Sequence, residues 1–447
     1  MATKQVANWA VNLSPSSLPQ AVSTAAQRSL YNYIGCTIGG SHHPTVSKAH
    51  RALSPFFGPA QASLLGTSQK TDAQHACLLN GIASHVHDYD DTHLATIIHP
   101  TGPVASACLA YTQYAPIPIT GPALLTAIVA GIEASCKLGL AVWPAHYDIG
   151  WHITSTTGGI GAAIAVGKLL SLSETQMAHA IGLASVQVIG LREMFGSDTK
   201  SFHPGRAAQA GFLAAVMAGN GFTSSERALE AKRGWANVVA GGGEPRLDDF
   251  VGELGRVWEV QRNAFKPFPC GIVCHPAIDG CIQLRREMEE KGLDVDDVET
   301  VNARVHPLVV ELTSKRSPKD GLEGKFSVFH GCAIGLLYGK AGPAQYADEV
   351  VTSDEVVRLR DKCDAEADRS LRADEVVIEV TLKNGKRLEK HVEHAIGSLE
   401  VPMTDEQLED KFVDQCLPVL GDRTRQISKL CWSVGHAPDV AKILQQL

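Results

Sequence analysis

Aromatic residues are scarce in this chain, at 6% of 447 residues, and basic residues form no run. The formal charge is −8, which argues against a nucleic-acid partner. Eleven cysteines are present, but none makes a C-x-x-C pair. Their odd number and scattered positions point to buried free thiols in a reducing compartment. Cys270, Cys274 and Cys281 lie closest together, at a spacing that fits no zinc or iron–sulfur pattern. The chain has no P-loop, no G-x-S-x-G and no H-E-x-x-H. It also lacks a long uncharged apolar run. The most apolar stretch, 123–142, contains Glu133 and Lys137 four residues apart, as suits a buried helix rather than a membrane span. The opening MATKQVANWAVNLSPSSLP has no long apolar core and reads as an amphipathic helix, not a signal peptide. The closing KILQQL carries no address signal. A cytoplasmic protein with neither membrane nor nucleic acid as partner is the expectation.

What is present is ordinary globular material, 44% hydrophobic and 20% charged, with 41 glycines. Small residues at that density suit closely packed helices. Residues 1–265 read as helix after helix, punctuated by Gly39-Gly40, Ser54-Pro55, Gly102-Pro103, Gly121-Pro122 and Gly158-Gly159. Ser173-x-x-Gln176 and Thr223-x-x-Glu226 predict capping boxes. No convincing strand precedes residue 295. Lys266-Pro267-Phe268-Pro269 breaks any helix and suits a crossing between domains. Beyond it, a helix is expected over 276–291 and partial alternation over 298–312. The clearest strand pair lies over 374–391, with Asn384-Gly385 as its turn. Thr404-x-x-Gln407 then reopens helical texture. The predicted fold is mainly α. A large all-helical domain takes 1–265 and a return segment, 398–447. A smaller α+β domain with a small antiparallel sheet takes 266–397.

Chemistry-bearing residues collect in four places. The densest is 81–103, GIASHVHDYDDTHLATIIHPTGP. Leu79, Ile82, Ala83, Val86 and Tyr89 recur at helical steps. A continuing helix brings His85, Asp88 and Thr92 to another side, with Asp91 on the flank and His99-Pro100 at the loop's end. Acid, base and hydroxyl in one direction suit proton transfer. The H-x-H-x-D-H metal pattern is broken at Tyr89 and Asp90, so metal catalysis is not expected. Second is Gly150-Trp151-His152, before a Gly/Ala-rich helix whose start favours anions. Third is MFGSDTKSFHPGRAAQAG, 194–211, where Lys200 and His203 flank an expected turn and Lys200 is placed to clamp a carboxylate. Fourth is Lys266 to His275, with His275 opening a helix at the proposed boundary. Taken singly, each has a plainer reading: His152 a turn residue, Lys200 a solvated cation, Lys266 a rim cation, His275 a helix cap.

Taken in order, HDYDDTH…HP, GWH, MFGSDTKSFHPGRAAQAG, KPFPCGIVCHPAID and GLEGKFS (321–327) resemble the motifs of the MmgE/PrpD family over nearly the whole chain. That family includes 2-methylcitrate and alkylcitrate dehydratases, cis-aconitate decarboxylases and an iminodisuccinate epimerase. The resemblance implies a helical domain with an α+β lid, a homodimer, and no metal or other cofactor. It also implies a small polycarboxylate substrate. It places Asp88, Thr92, His99, His152, Lys200 and His275 on site positions, with Lys266 and His203 beside them. On this reading His99 or His275 carries the proton and Asp88 orients a histidine. Lys200 and Lys266, with His152, neutralise substrate carboxylates, and Thr92 binds substrate. Dehydration of a 2-methylcitrate or alkylcitrate is the first expectation. Decarboxylation of cis-aconitate is second and epimerisation of a dicarboxylic acid third. The non-enzyme alternative, an inactive helical scaffold, predicts that the four polar stretches do not meet.

Overall fold

Helices pack closely here because small residues stand where they cross. The computed structural model describes residues 1–447. Its principal helices are Gln20–Gly40 (α1), Ala73–His85 (α2), Thr101–Tyr114 (α3), Gly121–Val142 (α4), Ile153–Leu169 (α5) and Asp198–Gly219 (α6). Where α2 meets α6, a Cβ added to Gly81 would lie 2.4 Å from the Cα of Gly205. Only glycine allows the two backbones that approach.

The large core gathers side chains from residues 2–265 and from 403–447. The returning helix Asp405–Leu420 packs on α1, with Phe412 stacked 5.1 Å from Tyr31. A second core takes its side chains from 268–395. There the helix His275–Glu290 (α7) covers a four-stranded sheet. Its strands are Val298–Val305 (β1), Cys363–Ala367 (β2), Val376–Leu382 (β3) and Arg387–Val392 (β4), in the order β2-β1-β3-β4. The β3–β4 hairpin forms as expected, with alternate residues of β3 buried. The sheet is mixed, however, not antiparallel: β2 lies parallel to β1. The chain between them crosses over through helices, as a parallel pair requires.

Several local readings change. The Ser173 and Thr404 capping boxes form. Thr223-x-x-Glu226 does not: the segment runs in turns, and Glu226 pairs with Lys4 at 2.5 Å. Residues 298–312 divide into β1 and a helix opened by Pro307. Two-residue strand pairs do occur before 295, among them Thr92–His93 with Asn263–Ala264. The apolar helix α4 lies inside the protein. Its Lys137 pairs with Glu253 and Glu259 rather than with Glu133, which accepts the backbone N–H groups of Glu259 and Val260. All eleven cysteines are buried and unpaired.

Candidate active site

The helix expected to carry the acidic stretch stops at His85. Asp88 then takes a left-handed backbone, φ 52°, which aspartate tolerates better than most residues. Three buried lysines hold this loop. Lys325 donates to the carbonyl of Val86 at 2.8 Å, Lys266 to that of Asp88 at 3.1 Å, and Lys411 to that of Tyr89 at 2.7 Å. These three carbonyls lie past the helix end, and buried carbonyls need donors. Asp88 and Thr92 therefore leave the helical face predicted for them and follow a loop.

Asp88 lies at the centre. Its Oδ1 is 2.7 Å from Lys266 Nζ, 3.0 Å from Lys200 Nζ and 3.9 Å from His99 Nε2. Burial opposes its ionisation, but the Lys200 and Lys266 ammonium groups outweigh that and hold its carboxyl well below the usual range. His99 follows the short strand and precedes α3. Its Nδ1 stands 2.9 Å from the carbonyl oxygen of Asp91. A carbonyl only accepts, so Nδ1 carries the proton and the neutral ring keeps its lone pair on Nε2. Burial pushes His99 down to about 3, against the pull of Asp90. His152 is the residue before α5, as expected, and its Nδ1 lies 2.9 Å from His203 Nδ1. Burial, then Lys200 and His203, hold it well below the usual histidine value.

Lys200 and His203 sit inside α6, not on a turn. Lys200 is in the first turn of that helix, its ammonium 5.4 Å and 5.7 Å from the ring centres of Phe195 and Phe326. Asp88, His99, His152, Lys200 and Lys266 line one cavity of about 40 Å³ with Ile97, Phe195 and Phe326. Ile272, Val273 and Thr313 close it from the smaller body. The four polar stretches thus meet.

Three predicted residues stand apart from this cavity. Thr92 is fully buried behind His99, Oγ1 to Nδ1 3.4 Å, because its strand pairing with Ala264 directs it there. His203 backs His152. His275 opens α7 as predicted, but lines a neighbouring cavity of about 360 Å³. The 3₁₀ turn Ile272–Cys274 places Ile272 and Val273 in the lining of both cavities. His275 stacks edge-on against Phe268, and neither ring nitrogen has a hydrogen-bond partner.

Four residues emerge that the site prediction omitted: His85, Asp90, Lys325 and Lys411. His85 and Asp90 belonged to the dense polar stretch. Lys325 lies in the GLEGKFS motif, where burial pushes its ammonium down to about 7. Lys411 gave no local signal in its helix; burial lowers it to about 8. Asp91 is different again. Burial raises its carboxyl to about 7, against hydrogen bonds from Thr101 and Asn263.

His85, Asp88, Asp90 and His99 offer donor atoms within 4.8 Å of one another. A cation does not fit this set. Asp88 already holds two ammonium groups, and both nitrogens of His85 are engaged, by Asp90 and by Lys200. Adding a divalent ion would bring it against Lys200 and Lys266.

Comparison with known proteins gives the family. Residues 4–248 match the MmgE/PrpD N-terminal domain, and residues 268–434 match the MmgE/PrpD C-terminal domain. The chain belongs to the MmgE/PrpD family. Similar proteins include the cis-aconitate decarboxylase-like protein oryM of Aspergillus oryzae, 25% identical over 99% of this chain and 96% of the relative. Human cis-aconitate decarboxylase is 27% identical over 76% of this chain and 71% of its own. The 2-methylcitrate dehydratase of Salmonella typhimurium is 23% identical over 77% and 73%. The members of the family similar to this chain thus carry the names of decarboxylases and dehydratases.

Proposed function

We propose that this MmgE/PrpD protein is a cofactor-independent lyase acting on a citrate-like polycarboxylic acid, with dehydration of a 2-methylcitrate or alkylcitrate as its reaction. The observation that carries the reading is one cavity holding two ammonium groups, one carboxylate and two imidazoles. Removing a proton from a carbon next to a carboxylate builds negative charge. Fixed cations must meet that charge in a site closed to water. Lys200 and Lys266 against Asp88 leave one positive charge over. His99 Nε2, with its lone pair free and no partner nearer than Asp88 at 3.9 Å, is the base. His152 is neutral in the free protein; substrate carboxylates beside it favour its protonation, and the imidazolium so formed is the acid for the leaving hydroxyl. Dehydration needs both roles, and two imidazoles supply them. A cavity of about 40 Å³ has room for about three waters, less than a citrate-like acid needs. Substrate therefore enters when the two bodies part, and closure completes the site.

A second reading is decarboxylation of cis-aconitate. It is favoured by one specific observation: the relatives that match 99–100% of the chain, from Aspergillus, carry decarboxylase names, while human cis-aconitate decarboxylase and the dehydratase of Salmonella typhimurium match 76% and 77% of it. Loss of carbon dioxide needs one proton donor rather than an acid and a base. Purified protein given 2-methylcitrate, longer alkylcitrates and cis-aconitate, with product mass as readout, separates the readings. Loss of water supports the first and loss of carbon dioxide the second. An isomer of unchanged mass points to epimerisation, and no product overturns the lyase proposal. The homodimer and cytoplasmic setting expected from the sequence belong to the same proposal, to be tested by light scattering and by cell fractionation.

A further inference from the structure

We infer that His85 and Asp90 are a positioning pair for Lys200, fixing one proton order from Lys200 through His85 to Asp90 and so setting where the substrate carboxylate is held. The inference rests on the lyase reading for its substrate, but its geometry stands alone. Both side chains are almost wholly buried, 0% and 1% exposed. His85 Nδ1 lies 3.0 Å and 2.8 Å from the two oxygens of Asp90. A carboxylate only accepts, so Nδ1 bears the proton. The neutral ring then turns its lone pair, on Nε2, to Lys200 Nζ at 2.9 Å. An ammonium group only donates, so the order has no second solution with these charges. Burial favours the neutral ring, while Asp90 pulls the other way.

Lys200 has three N–H groups. One goes to His85 and one to Asp88 Oδ1 at 3.0 Å, which leaves one for a ligand in the cavity. The other ionisable groups that act on it are Lys266 from the crossing segment and Asp90 from the loop. Around them stand His99 and His152, whose rings lie 4.7 Å and 5.9 Å from that of His85, His203 on α6 itself and Lys325 from the smaller body. Among these, His85 is the uncharged acceptor within hydrogen-bond distance of Lys200.

Asp90→Asn tests the pair with almost no change of shape. Asparagine keeps one acceptor oxygen and replaces the other, both of which face Nδ1, by an amide N–H; with that N–H toward Nδ1 the ring proton moves to Nε2, against the Lys200 ammonium, and a wrong tautomer of this kind disables a well-known histidine–aspartate pair. We expect KM for the acid to rise and kcat/KM to fall on the order of 100-fold. His85→Gln supplies a carbonyl oxygen to Lys200 without a ring tautomer and should keep most of the activity that His85→Ala loses. In the His85→Gln background, Asp90→Asn should then cost less, keeping only the part lost through His99, whose Nδ1 lies 3.4 Å from Asp90 Oδ1. Equal losses from Asp90→Asn in both backgrounds, or no loss in either, would overturn the pair. Absence of turnover by the unmodified protein would remove the lyase reading instead. In that case a crystal structure of the Asp90→Asn protein decides: Lys200 Nζ swung away from residue 85 supports the pair, and Nζ still at 2.9 Å refutes it.

Discussion

Replacing Asp88 by asparagine removes one charge at the centre of the site while keeping its shape. The carboxylate is 4% exposed in the folded chain and faces two ammonium groups at 2.7 Å and 3.0 Å. Without it, Lys200 and Lys266 stand as uncompensated charges away from water. Breaking a buried pair this way costs about 3–5 kcal/mol, whereas removing both partners costs much less. At roughly 2 °C per kcal/mol for a large domain, Asp88→Asn should melt about 6–10 °C below the unmodified protein at neutral pH. The double variant Asp88→Asn/Lys266→Met should lose less than the sum of the single losses, by about 1–3 kcal/mol. The sign with pH follows from the depressed carboxyl. Its stabilisation is complete above the unfolded value near 3.9 and fades as pH falls toward the folded value. The gap between the two proteins should thus be widest at neutral pH and shrink in acid. Thermal unfolding by circular dichroism at several pH values reads all three expectations. An Asp88→Asn protein melting within a degree or two of the parent, or strictly additive losses, would refute the buried-charge reasoning.

Two further outcomes follow from other parts of the molecule. Eight histidines, His43, His85, His87, His99, His146, His152, His203 and His330, are held by burial below their ordinary value. Each binds a proton more readily unfolded, so stability should drop as pH falls below about 6.5. Only Asp91 and Glu133, both raised to about 7, oppose this trend, and a flat melting profile from pH 7 to 5 would contradict it. Ile97 holds a left-handed backbone, φ 59°, and lines both cavities. Ile97→Gly should release about 1–2 kcal/mol of strain and forfeit a similar amount of half-buried apolar surface. Its melting point should barely move while the cavities join; a loss above about 3 kcal/mol by urea unfolding would show that the backbone there is unstrained.

Features written in neighbouring residues were legible without the structure. The Ser173 and Thr404 caps, the Asn384-Gly385 hairpin, and the starts of α5 and α7 beside His152 and His275 are of this kind. The loop over 86–92 was not. Apolar spacing there continues the helix, and what stops it is charge delivered from Lys266, Lys325 and Lys411, far away in the chain. No local pattern announces such partners. Lys200 and His203 are expected to flank a turn, but α6 runs unbroken through Pro204. Packing of Gly205 against Gly81 keeps α6 whole around it. The parallel β1–β2 pair is equally nonlocal. The offset of His275 depends on how Ile272 and Val273 pack between two cavities, which spacing does not reveal.

The claim on which the rest depends is that His99 Nε2 moves a proton to or from a carbon beside a carboxylate, in a pocket where lysines supply the positive charge. Incubation in deuterium oxide with 2-methylcitrate and with cis-aconitate, followed by NMR, measures that step directly, for the chelator-treated protein and for His99→Gln. We predict one solvent deuterium on carbon in the decarboxylation product or, for dehydration run to equilibrium, in the 2-methylcitrate re-formed from its unsaturated product. For His99→Gln we predict incorporation slowed by about 10²–10⁴-fold. Unchanged incorporation by His99→Gln, or none by the unmodified protein with any of these acids, would contradict the account.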